Sequence, residues 1–83
     1  VELIAETYHA IGICWSYLNK KSRAKWHLQR ASIMFEQLQD DDSHIETLLG
    51  LGRIWEASNV TRASEYYEIA LTKSQSSNNV YAE

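Results

Sequence analysis

The chain has 83 residues, with 8 Lys and Arg against 11 Asp and Glu and a net charge of −3. A chain of this length forms at most one small domain and buries only about 60% of its unfolded surface. The mild acidic balance argues against a dedicated nucleic-acid binder, which normally has a clear basic excess. No apolar run approaches the roughly 18 residues that a membrane span needs.

The N-terminal residues and the cysteine content indicate the cellular compartment. The first residues lack the basic start and apolar block of a secretory signal peptide, and the single Cys14 cannot form an internal disulfide. We therefore expect an intracellular protein, in the cytoplasm. The chain starts with Val1 rather than Met, which suggests part of a longer protein.

The first predicted helix covers residues 2–18. Its large apolar residues recur every three or four positions, as in an amphipathic helix: Ile4, Tyr8, Ile11, Trp15 and Leu18. Asn19 follows them and tolerates the left-handed conformation that ends many helices. We expect the apolar stripe to be the buried face.

The second predicted helix carries an apolar stripe consisting of Ala24, Leu28, Ala31, Phe35 and Leu38. Three aspartates at 40–42 follow and predict a solvated connection, which lacks the alternating ligands of a calcium loop. Ser43 and Glu46 then have the spacing of a capping box, which predicts that the third helix starts at Ser43. Its apolar face comprises Ile45, Leu48, Leu51 and Trp55.

A fourth helix is predicted after Asn59, with an apolar face formed by Val60, Ala63, Tyr67, Ala70 and Leu71. A polar turn at 76–79 precedes what resembles the first turn of a fifth helix at 79–83. No segment alternates with the period of two that strands require. The sequence predicts an all-α fold.

The first pair of helices matches the second, which indicates an internal repeat with a period of about 40 residues. Ile11-Gly12 and Trp15 align with Leu51-Gly52 and Trp55, and Ala24, Leu28 and Ala31 align with Ala63, Tyr67 and Ala70. The residues of the first set are 40 positions apart and those of the second set 39, because the turn between the two helices is one residue shorter in the second copy. Glycine and alanine allow close approach of two helices, and each Trp is expected to fill the space between them. Repeat 1 is predicted at about 2–39 and repeat 2 at about 43–76, within a single fragment covering 1–83.

This pattern resembles the tetratricopeptide repeat (TPR) family, in which a large residue followed by Gly, then an aromatic, marks the first helix. The proline that usually closes each unit is absent, and the period exceeds the roughly 34 residues that are usual for the family. The longer units are similar to those of LGN-type adaptors and Rap-type peptide receptors. The resemblance implies antiparallel helical hairpins stacked as an α-solenoid, with two repeats and the start of a third.

The resemblance also implies a function. In this family the first helices line a concave groove that holds a partner protein or peptide, so a scaffold or adaptor module is expected, packed against neighbouring repeats of its own chain. The implied groove residues are Glu6, His9, Ile13, Ser16 and Tyr17 in the first unit, and Glu46, Leu49, Arg53 and Glu56 in the second. Arg53 could contact a ligand or simply pair with Glu56 at i,i+3. The alternative function is a peptide-sensing regulatory domain that controls an attached output domain.

A cluster of basic residues forms the strongest competing signal: Lys20, Lys21, Arg23, Lys25 and Arg30. With Trp26 they could bind phosphate or stack on a base. Because they follow the turn between two helices, we interpret them as a charged, solubilising outer face with Trp26 exposed. Nucleic acid is not the expected partner.

No chemistry is predicted for this chain. The three histidines, His9, His27 and His44, show neither an HExxH motif nor i,i+4 pairing, so no metal site is expected. Cys14 has no basic neighbour that would favour a thiolate and is interpreted as a core residue. We expect no catalytic residues, no cofactor and no enzymatic activity.

Overall fold

The computed structural model describes residues 2–77, which form four α-helices and no strand. They are α1 (Glu2–Tyr17), α2 (Lys21–Gln37), α3 (Asp41–Glu56) and α4 (Val60–Ser77). The all-α prediction is confirmed, and the end of the predicted first helix is correct to one residue. The fifth helix predicted at 79–83 lies outside the described residues. None of the four helices has the length and apolar character to span a membrane.

The first two helices end in the same way. Asn19 has a φ of 62°; its N–H donates to the Ser16 carbonyl, and the next N–H, of Lys20, donates to the Trp15 carbonyl. These two bonds define a Schellman motif, as predicted for Asn19. Gln39 has a φ of 58° and ends α2 with the same pattern, although glutamine is not a residue type that predicts a left-handed conformation.

The start of α3 corrects the predicted capping box. Asp40, not Ser43, is the N-cap, and its Oδ1 accepts the backbone N–H of Ser43 at 3.3 Å. The helix therefore begins at Asp41, earlier than the prediction. Asp41 and Asp42 lie in its first turn, where their charges favour the positive end of the helix dipole. The predicted solvated connection is thus a cap and a helical turn.

Consecutive helices pack closely through small residues, as predicted. A Cβ added to Gly12 would lie 2.8 Å from Leu28 Cγ, and one added to Gly52 would lie 2.5 Å from Tyr67 Cε1. The four predicted alanines on α2 and α4 are all buried: Ala24, Ala31, Ala63 and Ala70. The same contact therefore occurs in both hairpins, between the residues that the repeat alignment pairs.

The predicted apolar stripe of α1 is buried only in part. Ile4, Ile11 and Leu18 are 53%, 39% and 64% exposed, whereas Tyr8 and Trp15 are half-buried and pack against the apolar core. Ala5 and Gly12 are buried, because α1 approaches α2 through its smallest side chains. Cys14, predicted to be a core residue, is exposed on α1 as well.

The two hairpins share one apolar core. Ala24 and Leu28 of α2 form a buried cluster with Leu51 and Ile54 of α3. A second cluster, formed by Ala5, Ala31 and Phe35, lies within the first hairpin. Burial of each large aliphatic side chain contributes about 1.5–3 kcal/mol, so the α2–α3 contact is a substantial part of the stability.

Two contacts show that α1 and α3 lie side by side. His9 Nδ1 is 2.9 Å from Thr47 Oγ1, and a Cβ added to Gly50 would lie 3.8 Å from Ile13 Cδ1. The later residue of α1 meets the later residue of α3, so the two helices run in the same direction. The first helices of the two hairpins therefore share one side of the molecule.

Candidate binding surface

We call the shared side of α1 and α3 the groove face. His9 and Ile13 lie on it, and the helical register assigns the other predicted groove residues to the same sides of the two helices. Six of the nine predicted groove residues are exposed: Glu6, Ser16, Tyr17, Glu46, Arg53 and Glu56. Three are half-buried: His9, Ile13 and Leu49. The structure therefore places the predicted set on neighbouring helices but gives its members different surroundings.

One end of the groove face contains a cavity of about 230 Å³, here called the acidic notch. It is lined by Glu6 and His9 of α1, Ser43 and Glu46 of α3, and Phe35 of α2. The structure thus brings together three predicted groove residues from two helices that are far apart in sequence. Phe35 and Ser43 were not predicted, because nothing in their local pattern points across the helices.

The hydrogen bonds of the notch determine that Nδ1 of the His9 ring carries a proton and donates it. The Thr47 hydroxyl donates its one proton to the Ser43 carbonyl at 2.9 Å. It therefore accepts from His9 Nδ1–H at 2.9 Å. In the neutral ring this leaves Nε2 unprotonated and able to accept a hydrogen bond from a partner. Thr47 is fully buried, so the ring orientation is set from within the fold.

Neither carboxylate of the notch forms an ion pair with another of the described residues. Within residues 2–77 the one ion pair joins Lys73 and Asp41, so Glu6 and Glu46 are both unpaired. No cluster of His, Cys, Asp and Glu in the described part of the chain has the geometry to hold a metal ion. Two exposed carboxylates so close together attract a basic side chain.

The opposite end of the groove face carries Arg53 and Glu56. They form no ion pair in the described structure, so the predicted i,i+3 pairing is not observed. Burial raises the pKa of Tyr67 on α4, and the charge of Glu56 adds to that rise, whereas Arg53 lowers it. Arg53 and Glu56 thus both lie near the Tyr67 hydroxyl, and the Arg53 guanidinium stays exposed.

Two predicted groove residues are committed to the fold. Ile13 packs against the cluster shared by α2 and α3, and His9 is bonded to Thr47. Their side chains therefore join the two hairpins, in addition to any role at the surface. Arg53 occupies in α3 the repeat position that Ile13 occupies in α1, and residues 2–77 contain no further hairpin against which it could pack in the same way.

Part of the basic cluster makes contacts within the fold, although four of its five residues are exposed. Three of its members lie over tryptophan rings: Arg23 is 4.8 Å from the Trp15 ring centre, Lys25 is 3.6 Å from that of Trp55, and Arg30 is 4.8 Å from that of Trp26. Such cation–π contacts contribute about 0.5–1 kcal/mol at exposed sites. These charges thus have an intramolecular role that the solubilising interpretation missed. Trp26 is 47% exposed, as expected.

A larger cavity, of about 730 Å³, lies outside the groove face. It is bordered by the start of α3 and the outer side of α4, including Asp41, Lys73, Ile69 and Glu68. The Lys73 ammonium is 3.3 Å from Asp41 Oδ1 at its edge. Sequence reasoning did not find this cavity, because its two sides come from segments that are distant in the chain.

Comparisons with protein-family models, with curated proteins and with solved structures find no match to this chain. The geometry of the groove face is therefore the basis for a functional proposal.

Proposed function

We propose that this chain is a protein-interaction module of TPR type, which holds a partner protein or peptide along the groove face. The observation that supports this most is the parallel pairing of α1 and α3. It places unpaired Glu6 and Glu46 beside each other and leaves Arg53 exposed farther along the same side.

The arrangement of the hairpins also supports a TPR-like solenoid. The contact of Gly12 with Leu28 recurs as that of Gly52 with Tyr67. The cation–π contact of Arg23 with Trp15 likewise recurs as that of Arg62 with Trp55. Stacking of such units with a constant shift generates a solenoid.

The chemistry of the groove face suggests what the partner offers. A Lys or Arg side chain would fit the acidic notch, and a carboxylate or carbonyl would pair with Arg53. Exposed ion pairs contribute little individually, so most of the affinity would come from backbone and apolar contacts along the helices. A segment with a basic residue near one end matches this pattern.

A charge-reversal comparison tests the proposal. Wild-type chain, Glu6→Lys/Glu46→Lys and Glu65→Lys/Glu68→Lys would be used in quantitative affinity capture, with partners identified by mass spectrometry and binding confirmed with purified components. Both variants carry the same change in net charge, and all four residues are exposed. We expect the groove variant to lose at least about tenfold in affinity for its partner, equivalent to about 1.4 kcal/mol, while the α4 variant keeps it.

Identical partners and affinities for wild type and the groove variant would contradict this assignment. Loss only in the Glu65/Glu68 variant would move the site to the larger cavity. Exposed residues are chosen because substitution of Ile13 or His9 would disturb the contacts between the hairpins.

A further inference from the structure

One side of α2, together with two rings of α1, combines basic and aromatic side chains, and we call it the basic–aromatic face. It consists of Tyr8, Trp15, Arg23, Trp26, His27 and Arg30. Its four α2 residues recur every three or four positions and therefore lie on one side of that helix. On α1, Trp15 follows Ile13 by two positions, which places the two side chains on opposite sides of the helix. The basic–aromatic face is thus separate from the groove face.

This face lies in the part of the chain where positive charge is concentrated. Residues 7–35 contain five of the eight basic residues and none of the eleven acidic ones. The one ion pair within residues 2–77 joins Lys73 and Asp41, so neither Arg23 nor Arg30 is paired with a carboxylate of the described structure. Both arginines are exposed. The complement of such a surface is an anionic group.

Aromatic rings position both guanidinium groups of the face. Arg23 Cζ is 4.8 Å from the centre of the Trp15 ring, and Arg30 Cζ is 4.8 Å from the centre of the Trp26 ring. A ring contact leaves the positive charge in place, because the ring is neutral. It also leaves the guanidinium N–H donors available at the edge of the group, where their fork geometry matches a carboxylate.

The surroundings of the Trp26 ring favour an acidic peptide over a nucleic acid as the ligand. The ring centre is 6.0 Å from that of Tyr8 and 4.9 Å from that of His27, in addition to its contact with Arg30. A nucleotide base that stacks needs a free ring face. A carboxylate needs only the edges of the guanidinium groups, which the ring contacts do not use.

The second hairpin shows that the repeat itself does not require this combination. The residues one repeat later than the four of α2 are Arg62, Glu65, Tyr66 and Ile69, which line a cavity of about 200 Å³. The arginine over a tryptophan recurs, since Arg62 Cζ is 5.1 Å from the centre of the Trp55 ring. A carboxylate and an aliphatic side chain replace the second aromatic and the second arginine. The pair of ring-bound arginines is therefore specific to the first hairpin.

We propose that the basic–aromatic face binds an acidic peptide segment of a partner protein. Asp or Glu carboxylates of that segment accept hydrogen bonds from the edges of Arg23 and Arg30, and Trp15 and Trp26 position the two guanidinium groups. Arg, Trp and Tyr are also the residue types most enriched at protein–protein interfaces. This surface is additional to the groove face, so the proposed function does not depend on it.

Isothermal titration calorimetry of the chain with capped model peptides tests the proposal. A peptide of alternating Glu and Gly residues should bind at low ionic strength, and the same peptide with Gln in place of Glu should not, because only carboxylates accept charge-assisted hydrogen bonds. Arg23→Lys/Arg30→Lys keeps the charge but removes both forks, and it should weaken binding by at least about threefold. Arg62→Lys makes the same exchange outside the face and should bind like the wild type.

A further variant tests the positioning role of the ring without any change of charge. Trp26→Leu should weaken binding of the Glu peptide about two- to fivefold, the factor that corresponds to an exposed cation–π contact. Helical circular dichroism equal to that of the wild type would show that the variants fold. A wild type that does not bind the Glu peptide would overturn the proposal, as would an Arg23→Lys/Arg30→Lys variant that binds it like the wild type. Tighter binding of a single-stranded oligothymidylate of equal charge would also overturn it, because that result assigns the face to nucleic acid.

Discussion

At the scale of single residues, the glycines show most directly how this sequence determines helix packing. Gly12 and Gly52 lie where a partner helix approaches within less than van der Waals distance of an added Cβ. Gly50 lies on the same helix as Gly52, yet an added Cβ there would be 3.5 Å from the Leu28 side chain, an ordinary contact. Close helix packing therefore requires glycine at positions 12 and 52 but not at position 50.

Alanine substitution should separate these cases. Gly12→Ala should gain about 1 kcal/mol of helix propensity but lose about 1–3 kcal/mol by overpacking, because Leu28 is fully buried and its backbone is also close. Gly50→Ala should keep most of the propensity gain, up to about 1 kcal/mol. Urea unfolding followed by circular dichroism measures both. A Gly12→Ala protein at least as stable as Gly50→Ala would show that α1 and α2 are not packed this closely.

At the scale of elements, the starts of α3 and α4 depend on which side chain accepts the free backbone N–H groups of the first turn. Asp40 caps α3 and Asn59 caps α4, where Asn59 Oδ1 accepts the Arg62 N–H at 3.0 Å. The capping-box pattern at Ser43 and Glu46 is present in the sequence but unused. Asp40 and Ser43 are alternative N-caps. Asp40 is the last residue of the preceding Schellman motif, and this position lets its side chain cap α3.

Removal of the two candidate caps should therefore have unequal effects. Asp40→Ala should destabilise the chain by about 0.5–2 kcal/mol, as expected for loss of an N-cap. Ser43→Ala should change the free energy of unfolding by less than about 0.5 kcal/mol, since it removes no cap bond. Thermal and urea unfolding of the two variants provide the measurement. The reverse order would support the capping box instead.

At the scale of the whole molecule, the two hairpins are held together by a shared apolar cluster and by a few polar contacts. His44 lies among these, buried on α3 with Nε2 bonded to Ser32 of α2. Its Nδ1 is buried without a hydrogen-bond partner in the described structure. Burial lowers the pKa of His44 below 6.5, and the nearby Lys73 lowers it further, while Glu36 and Asp41 oppose the shift.

This makes the junction between the hairpins sensitive to acid. The folded state holds His44 neutral, whereas the unfolded chain takes up a proton below about pH 6.5. Stability is therefore complete above that pH and falls as the pH decreases toward the lowered folded-state pKa. We expect the free energy of unfolding to decrease between about pH 7 and about pH 5 in the wild type, and less so in His44→Gln.

Urea titrations at several pH values test this expectation, with His27→Gln as the matched control. The His27 ring bonds the Arg23 carbonyl of its own helix at the surface, so its removal should leave the pH dependence intact. An unchanged slope in His44→Gln, or a lost slope in His27→Gln, would show that another group is responsible.

The sequence by itself determined the four helices and the spacing of the small residues that pack them. Both are local or periodic properties, because a helix forms from hydrogen bonds between near neighbours and the glycine and alanine positions recur from one hairpin to the next. The Schellman turn at Asn19 follows from the same local logic. These predictions needed no knowledge of which helices meet.

Only the tertiary structure decided which faces are covered. The large residues Ile4 and Ile11 indicated the buried face of α1, yet α1 approaches α2 through Ala5 and Gly12, because close packing favours the smallest side chains. The acidic notch joins residues of three helices, and Lys25 reaches the Trp55 ring from another helix. Such contacts depend on how one hairpin is placed on the other, and that placement is a property of the packed core rather than of any single segment.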